Sequence, residues 1–171
     1  MSTDITKTTQ YLTFKLRDEI FALDISQVRE VLDLTTVTSV PRTPDFMRGV
    51  INLRGSVVPV ADMRLKFGMS ETEKTVNTCI IIVEARVDGE TTILGLLADS
   101  VQEVIDLEPD HIEPAPKIGM MLNTAYIKGI GKHNNSFIII LDIDAVFGAA
   151  ELTAASIART PEPGRGETID G

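Results

Sequence analysis

One cysteine and two histidines are all that 171 residues offer to thiol, imidazole or soft-metal chemistry. A lone cysteine cannot close a disulfide within the chain. Cys79 sits in the apolar run Cys79-Ile80-Ile81-Ile82-Val83, where a thiol serves as a small hydrophobe rather than a nucleophile. His111 and His133 have no cysteine or second histidine at metal-ligand spacing, so both read as surface residues and no metal site is expected. Basic residues are short as well: 16 against 25 acidic ones give a formal net charge of −9, which repels nucleic acid and anionic lipid over most of the surface. No apolar stretch approaches the length of a membrane span, and Met1 to Lys7 lacks the basic and apolar regions of a secretory signal. A cytoplasmic protein without direct membrane insertion is the expectation. Gly129-Ile130-Gly131-Lys132 has neither the glycine spacing nor the strand-to-helix context of a phosphate-binding loop, so no nucleotide or other cofactor is expected.

Helical periodicity is equally scarce. Ser26 to Leu32 predicts a short helix with Val28, Val31 and Leu32 on one side, and Asp142 to Phe147 predicts another, N-capped by Asp142 and stopped by Gly148. The rest reads as strand and turn. Leu12 to Arg17 alternates apolar and polar residues, which predicts one face on a core and the other in water, and Ile20 to Ile25 completes a hairpin. Asp88-Gly89 between Cys79–Val87 and Thr92–Leu97 is the clearest hairpin turn, because both positions of a type I′ turn need positive φ. Two further hairpins are predicted around Arg54-Gly55 and around the polar turn His133 to Ser136. With 43% hydrophobic residues the chain can bury one sizeable core or two small ones. Beyond Glu151 the apolar pattern weakens and Pro161, Pro163, Gly164 and Gly166 follow, so 149–171 is expected to be a disordered extension.

The chain repeats itself. Val28-Arg29-Glu30-Val31-Leu32-Asp33-Leu34 matches Val101-Gln102-Glu103-Val104-Ile105-Asp106-Leu107 at five of seven positions, 73 residues apart. Arg48-Gly49-Val50 then resembles Lys128-Gly129-Ile130, and Asp62, Phe67 and Gly68 recur as Asp142, Phe147 and Gly148, 80 residues apart. The difference falls between Leu107 and Lys128, a stretch with Pro109, Pro114, Pro116 and Gly119 where a loop absorbs insertions. A duplicated small barrel or sandwich leaves this trace, and the period is too long for a solenoid.

Catalytic constellations are hard to find. Asp142-Ile143-Asp144 is the one acidic pair that a metal-dependent hydrolase would need, but aspartates at a helix start also cap exposed amides. Glu30 and Arg54 lie among apolar neighbours, Val28, Val31, Leu53 and Val57, where a charge wants a partner; spacing alone leaves them equally two unrelated surface charges.

The string Gly49-Val50-Ile51-Asn52-Leu53-Arg54-Gly55 followed by Val57-Val58-Pro59-Val60-Ala61-Asp62-Met63-Arg64 resembles the CheW-like family, the coupling proteins of bacterial chemotaxis. Phe21 to Ile25, Val28 to Val31, the Pro41-x-x-Pro44 loop, Ala98 to Val104 and Ile112 to Pro116 resemble family segments in family order, so the likeness runs from about Gln10 to Phe147. The resemblance implies an all-β fold of two SH3-like five-stranded β-barrel subdomains with short helices, forming one domain over 10–148 with a boundary near 69–78 and an N-terminal strand that crosses between barrels. It implies an adaptor, not an enzyme, that couples the cytoplasmic tips of transmembrane chemoreceptors to the regulatory domain of the chemotaxis histidine kinase, and it leaves open assembly into rings or arrays.

Carried onto this sequence, the receptor-contact positions are Val28, Glu30, Gly49, Arg54, Val57, Val101 and Val104, with Arg54 paired to Glu30. Val57 and Val101 read equally well as barrel core. Val37, Val40 and Phe46 are the candidates for kinase contact. The same adaptor in a non-flagellar motility or second-messenger pathway is an alternative, and a small hydrolase on Asp142 and Asp144 is a third reading from another class.

Overall fold

The computed structural model describes residues 5–87, 89–116 and 123–147; the expected extension 149–171 and the helix-stopping Gly148 lie outside the described residues. Eleven strands and two one-turn helices follow in the order β1 (Thr9–Leu16), β2 (Glu19–Asp24), β3 (Val28–Asp33), β4 (Met47–Leu53), β5 (Ser56–Asp62), α1 (Met63–Lys66), β6 (Cys79–Val87), β7 (Glu90–Ala98), β8 (Ser100–Leu107), β9 (Ile112–Glu113), β10 (Ile127–His133), β11 (Ser136–Leu141) and α2 (Ile143–Val146).

All four predicted hairpins form, and their turns show why. Arg54 and Gly55 both take positive φ, 51° and 90°, the backbone pair a two-residue type I′ connection needs. Asn134 and Asn135 do the same at 50° and 64°, so that turn is tighter than the four polar residues suggested and His133 ends a strand.

Two sheets result, ordered β8-β1-β2-β11-β10-β9 and β3-β6-β7-β5-β4. The repeat explains their likeness: β8 corresponds to β3, β10–β11 to β4–β5, and α2 to α1, while the isolated bridge Thr38–Val50 stands where β9 pairs with β10. In each sheet one antiparallel hairpin meets the rest through a parallel pair, β2 with β11 and β7 with β5. The hairpins are exchanged, since β1–β2 pairs with β8 and β11 from the far end of the chain. We call the β3–β7 sheet the first barrel and the other the second barrel.

Exchange makes β1 and β6 two-faced. Ile80 and Ile82 enter a cluster inside the first barrel with Ile51, Val58, Val60 and Leu97, whereas Cys79, Ile81, Val83 and Ala85 point the other way into a core shared by both barrels. This period-two division of one strand between two cores is why residues 79–83 are apolar without interruption. On β1, Tyr11 faces the second barrel's own cluster while Leu12, Phe14 and Leu16 face the shared core. The expectation of a wet face on this strand is therefore corrected. Thr13 is buried, its hydroxyl donating to Glu103 O at 2.7 Å and accepting from Glu103 N at 3.1 Å, where the β1–β8 register slips between Leu12 and Phe14.

The predicted helix over Ser26 to Leu32 is also corrected. Only Ile25–Gln27 makes a helical turn, capped by Asp24, and Val28–Asp33 runs as β3 with half-buried and exposed residues alternating. Ladder bonds to β6 and the valines' preference for extended backbone outweigh a weak local helical pattern. Helix α1 was not foreseen, because four residues are too few to show a period. Asp62 caps it by accepting from Arg64 N and Leu65 N. Asp142, at the same place before α2, makes no side-chain cap bond.

Candidate functional site

Asp62 organises the region behind the first barrel's mouth. Its carboxylate is wholly buried and accepts from Arg48 Nη1 at 2.9 Å, from Thr72 N at 3.0 Å and from Thr72 Oγ1 at 2.6 Å besides the two helix amides. Full hydrogen bonding is what makes a buried carboxylate tolerable. Arg48 lies on β4, so this cluster fixes the strand that leads into the Arg54 turn.

Gly49 follows directly, with φ of 144° and a Thr38–Val50 bridge against it. A Cβ here would fall inside the carbonyl of Thr38, so glycine is required by close backbone approach. Its buried place makes it a support for the site rather than an exposed contact.

Arg54, held in the left-handed region by its turn, reaches across to β3 and binds Glu30 through both guanidinium nitrogens, Nη1 to Oε1 at 3.3 Å and Nη2 to Oε2. The fork-on-carboxylate geometry holds the Glu30 carboxyl below the usual glutamate range, first through the hydrogen bonds from Arg54, against a smaller opposing effect of burial. The partners are unequal in exposure, with the Arg54 side chain 70% accessible and Glu30 28%. One edge of the first barrel is thus tied to its hairpin tip by a pair that still presents its cation to solvent.

The predicted valines fall into two groups by exposure. Val28 and Val101, repeat counterparts, both pack at the margin of the shared core, each just beyond a register slip in its sheet. Val57 and Val104 stand 41% and 48% exposed, which separates them from the barrel core that Val57 also suggested. Val37 and Val40 are half-buried on the segment between β3 and β4. Phe46 is different: it is buried, packed on Phe147, with Lys66 Nζ 4.6 Å from its ring, and a partner reaches it only by opening the core.

Besides the fully exposed Val76, which has no partner in the repeat, two exposed hydrophobics went unassigned as site residues. Val31 is the counterpart of Val104, and Phe137, 67% exposed, is the counterpart of Val57. The repeat offsets applied residue by residue were the signal that would have found them. At the remaining acidic pair, Asp144 Oδ1 accepts from Arg86 N at 2.7 Å and from Gln27 Nε2 at 3.0 Å, so it pins α2 to β6 and to the turn before β3. Among the described residues no group of three His, Cys, Asp or Glu side chains is placed to hold a metal, and no helix is long and apolar enough to cross a membrane.

The CheW-like domain profile matches residues 10–151. Among similar proteins, the chemotaxis protein CheW of Klebsiella aerogenes is 34% identical over 143 residues, covering 84% of this chain and 84% of that protein. A probable chemotaxis protein CheW of Rhizobium etli is 32% identical over 146 residues, covering 85% and 92%. Among solved structures, the scaffolding protein TtCheW of Thermoanaerobacter tengcongensis superimposes with a TM-score of 0.74 at 36% identity, covering 84% of this chain and 94% of that one.

Proposed function

The chain belongs to the CheW-like family, and from that premise we propose that it is a chemotaxis adaptor which binds chemoreceptor tips and the chemotaxis histidine kinase at once. The observation that carries the receptor half is the Glu30–Arg54 pair, with Val28 on the same strand as Glu30 and Val57 just after the Arg54 turn. Val28 and Val101 offer the apolar floor, Val57 and Val104 the exposed rim, and the half-open Arg54 a fixed cation. An amphipathic receptor helix is met by such a surface through apolar anchors and one charge that sets its register. Gly49 keeps β4 in place beneath this surface. Kinase contact is assigned to Val37 and Val40 on the segment that leaves β3, with Phe46 serving as its buried anchor. On this reading the protein is recruited from the cytoplasm to receptor clusters, where repeated engagement through both barrels supports array assembly.

Reconstitution tests it. Receptor-containing membranes and kinase are mixed with and without the protein, and phosphorylation of the kinase is followed. Receptor-dependent stimulation that requires the protein and disappears with Arg54→His supports the reading. Stimulation of equal size without the protein overturns it.

A further inference from the structure

The segment between β3 and β4 turns back over the first barrel and, with the residues after α1, encloses about 300 Å³. The polar wall of this pocket contains Arg48, Lys74, Thr35, Thr36 and Ser39, and among the described residues no carboxylate lines it. That is unusual in a chain of net charge −9. Leu34, Val37 and Leu97 supply an apolar wall. Thr72 and Thr78 also line it, but their hydroxyls are committed, to Asp62 and to Glu73 O.

The other polar groups have capacity to spare. Among the described residues, no hydrogen bond engages the side chains of Thr35, Thr36 or Ser39, and no ion pair engages Lys74. Arg48 spends Nη1 on Asp62 and Glu71 and keeps Nη2 and Nε uncommitted. These groups are not a by-product of the fold. Where the first copy has Thr35, Thr36 and Val37, the second has Glu108, Pro109 and Asp110, so the corresponding stretch there is acidic.

We propose that this pocket is a binding site for a small phosphomonoester. Such a group brings a charge near −2 and three terminal oxygens. Lys74 supplies the uncompensated cation, Arg48 offers its free Nε and Nη2 as donors although Asp62 and Glu71 already offset its charge, and the three uncommitted hydroxyls match the remaining oxygens. A carboxylate would leave some of these donors empty. The apolar wall takes the carbon skeleton of the ester, and the enclosed volume lies at the small end of the range for organic ligands. Binding would hold the Thr35–Ser39 segment against the barrel. The assignment uses none of the receptor-contact residues and shares only Val37 with the proposed kinase contact, so it is tested on the chain without kinase.

The test is a titration of the full chain, followed by backbone amide chemical shifts, with glycerol 3-phosphate, inorganic phosphate and glycerol at constant ionic strength. Glycerol 3-phosphate should give saturable shifts confined to residues 34–39, 48 and 72–78, with glycerol inert and inorganic phosphate weaker. Lys74→Ala should weaken binding by about tenfold, the effect of one lost charge-assisted contact, and Thr36→Val by several-fold. Both residues are exposed, so the spectra away from the pocket should be unchanged and report an intact fold. Absence of saturable shifts, shifts spread over the surface, or equal affinity in both variants overturns the site. Inorganic phosphate binding as tightly as the ester overturns the organic ligand.

Discussion

Phe46 and Phe147 pack on each other between the two barrels with ring centroids 5.8 Å apart, and their repeat counterparts, Tyr126 and Phe67, make the same contact at 6.0 Å. The backbone repeats the relationship, with Asp62 N donating to Phe46 O at 2.7 Å and Asp142 N to Tyr126 O at 2.8 Å. Each copy therefore closes its last helix onto an aromatic ring of the other. This places the approximate two-fold relation of the repeats in the middle of the shared core, and it makes the barrels depend on one another.

Phe147→Ala should accordingly destabilise the whole protein by about 3–5 kcal/mol, as for other fully buried aromatics. Urea denaturation followed by circular dichroism should keep one transition at a lower midpoint. Two separate transitions would show that the barrels do not share a cooperative core.

Arg54→Ala should leave stability close to that of the parent, since an exposed ion pair contributes little. Its mark is electrostatic. The Glu30 carboxyl titrates low in the folded protein, so any stability it gives is complete above its unfolded pKa and is lost as pH falls through the folded one. In an NMR titration the Glu30 midpoint should rise toward the ordinary glutamate range when Arg54 is removed. An unmoved midpoint would mean that the pair is not formed in solution.

Asp62→Ala should be severe, about 3–5 kcal/mol, because it strands a partly buried Arg48 and removes the acceptor for Thr72 and two helix amides. Asp62→Asn keeps the shape and should lose less. Thermal melts of the pair rank them; equal loss would place the effect in charge alone.

Gly49→Ala should destabilise by about 2–4 kcal/mol, because a Cβ collides with backbone rather than with a movable side chain. Amide exchange at Val50 and Thr38 should accelerate as their bridge opens. Protection unchanged at both would contradict the contact.

Cys79 should resist alkylation in the native state, for burial both shields the thiol and pushes its pKa up. Labelling by a thiol reagent should follow global unfolding in denaturant. Rapid native labelling would show that β6 frays from the shared core.

Hairpins were legible because their chemistry is local: Gly89 and Gly55, each at positive φ, mark turns between apolar runs. The exchange of hairpins was only partly legible, as one crossing strand and not as a reciprocal swap, since which barrel β1 joins depends on partners more than eighty residues away. Val28 to Leu32 misled because burial alternates along this edge strand while its apolar residues do not: Glu30 is half-buried and Val31 exposed, so the apolar spacing mimics a helix face. Glu30, Arg54 and their pairing could be named from the resemblance alone, and the aim of the β4–β5 turn is what brings the two side chains together. Phe46 read as a surface candidate because a lone aromatic after a proline-rich loop gives no hint that Phe147 lies above it.

The exchanged hairpins also set an order of events during synthesis. The strands of the first barrel are complete once Ala98 has left the ribosome, since that sheet needs nothing after β7. The N-terminal hairpin, made first, finds its flanking strands only when β8 and finally β11 emerge. Until then Phe14, Phe21 and Leu23 lack the part of the shared core that Leu141, Ile143, Val146 and Phe147 supply, and both strand edges stay open. The first strands of this domain to be made are thus the last to be sheltered, which makes this hairpin the segment that a chaperone, or an aggregate, meets first.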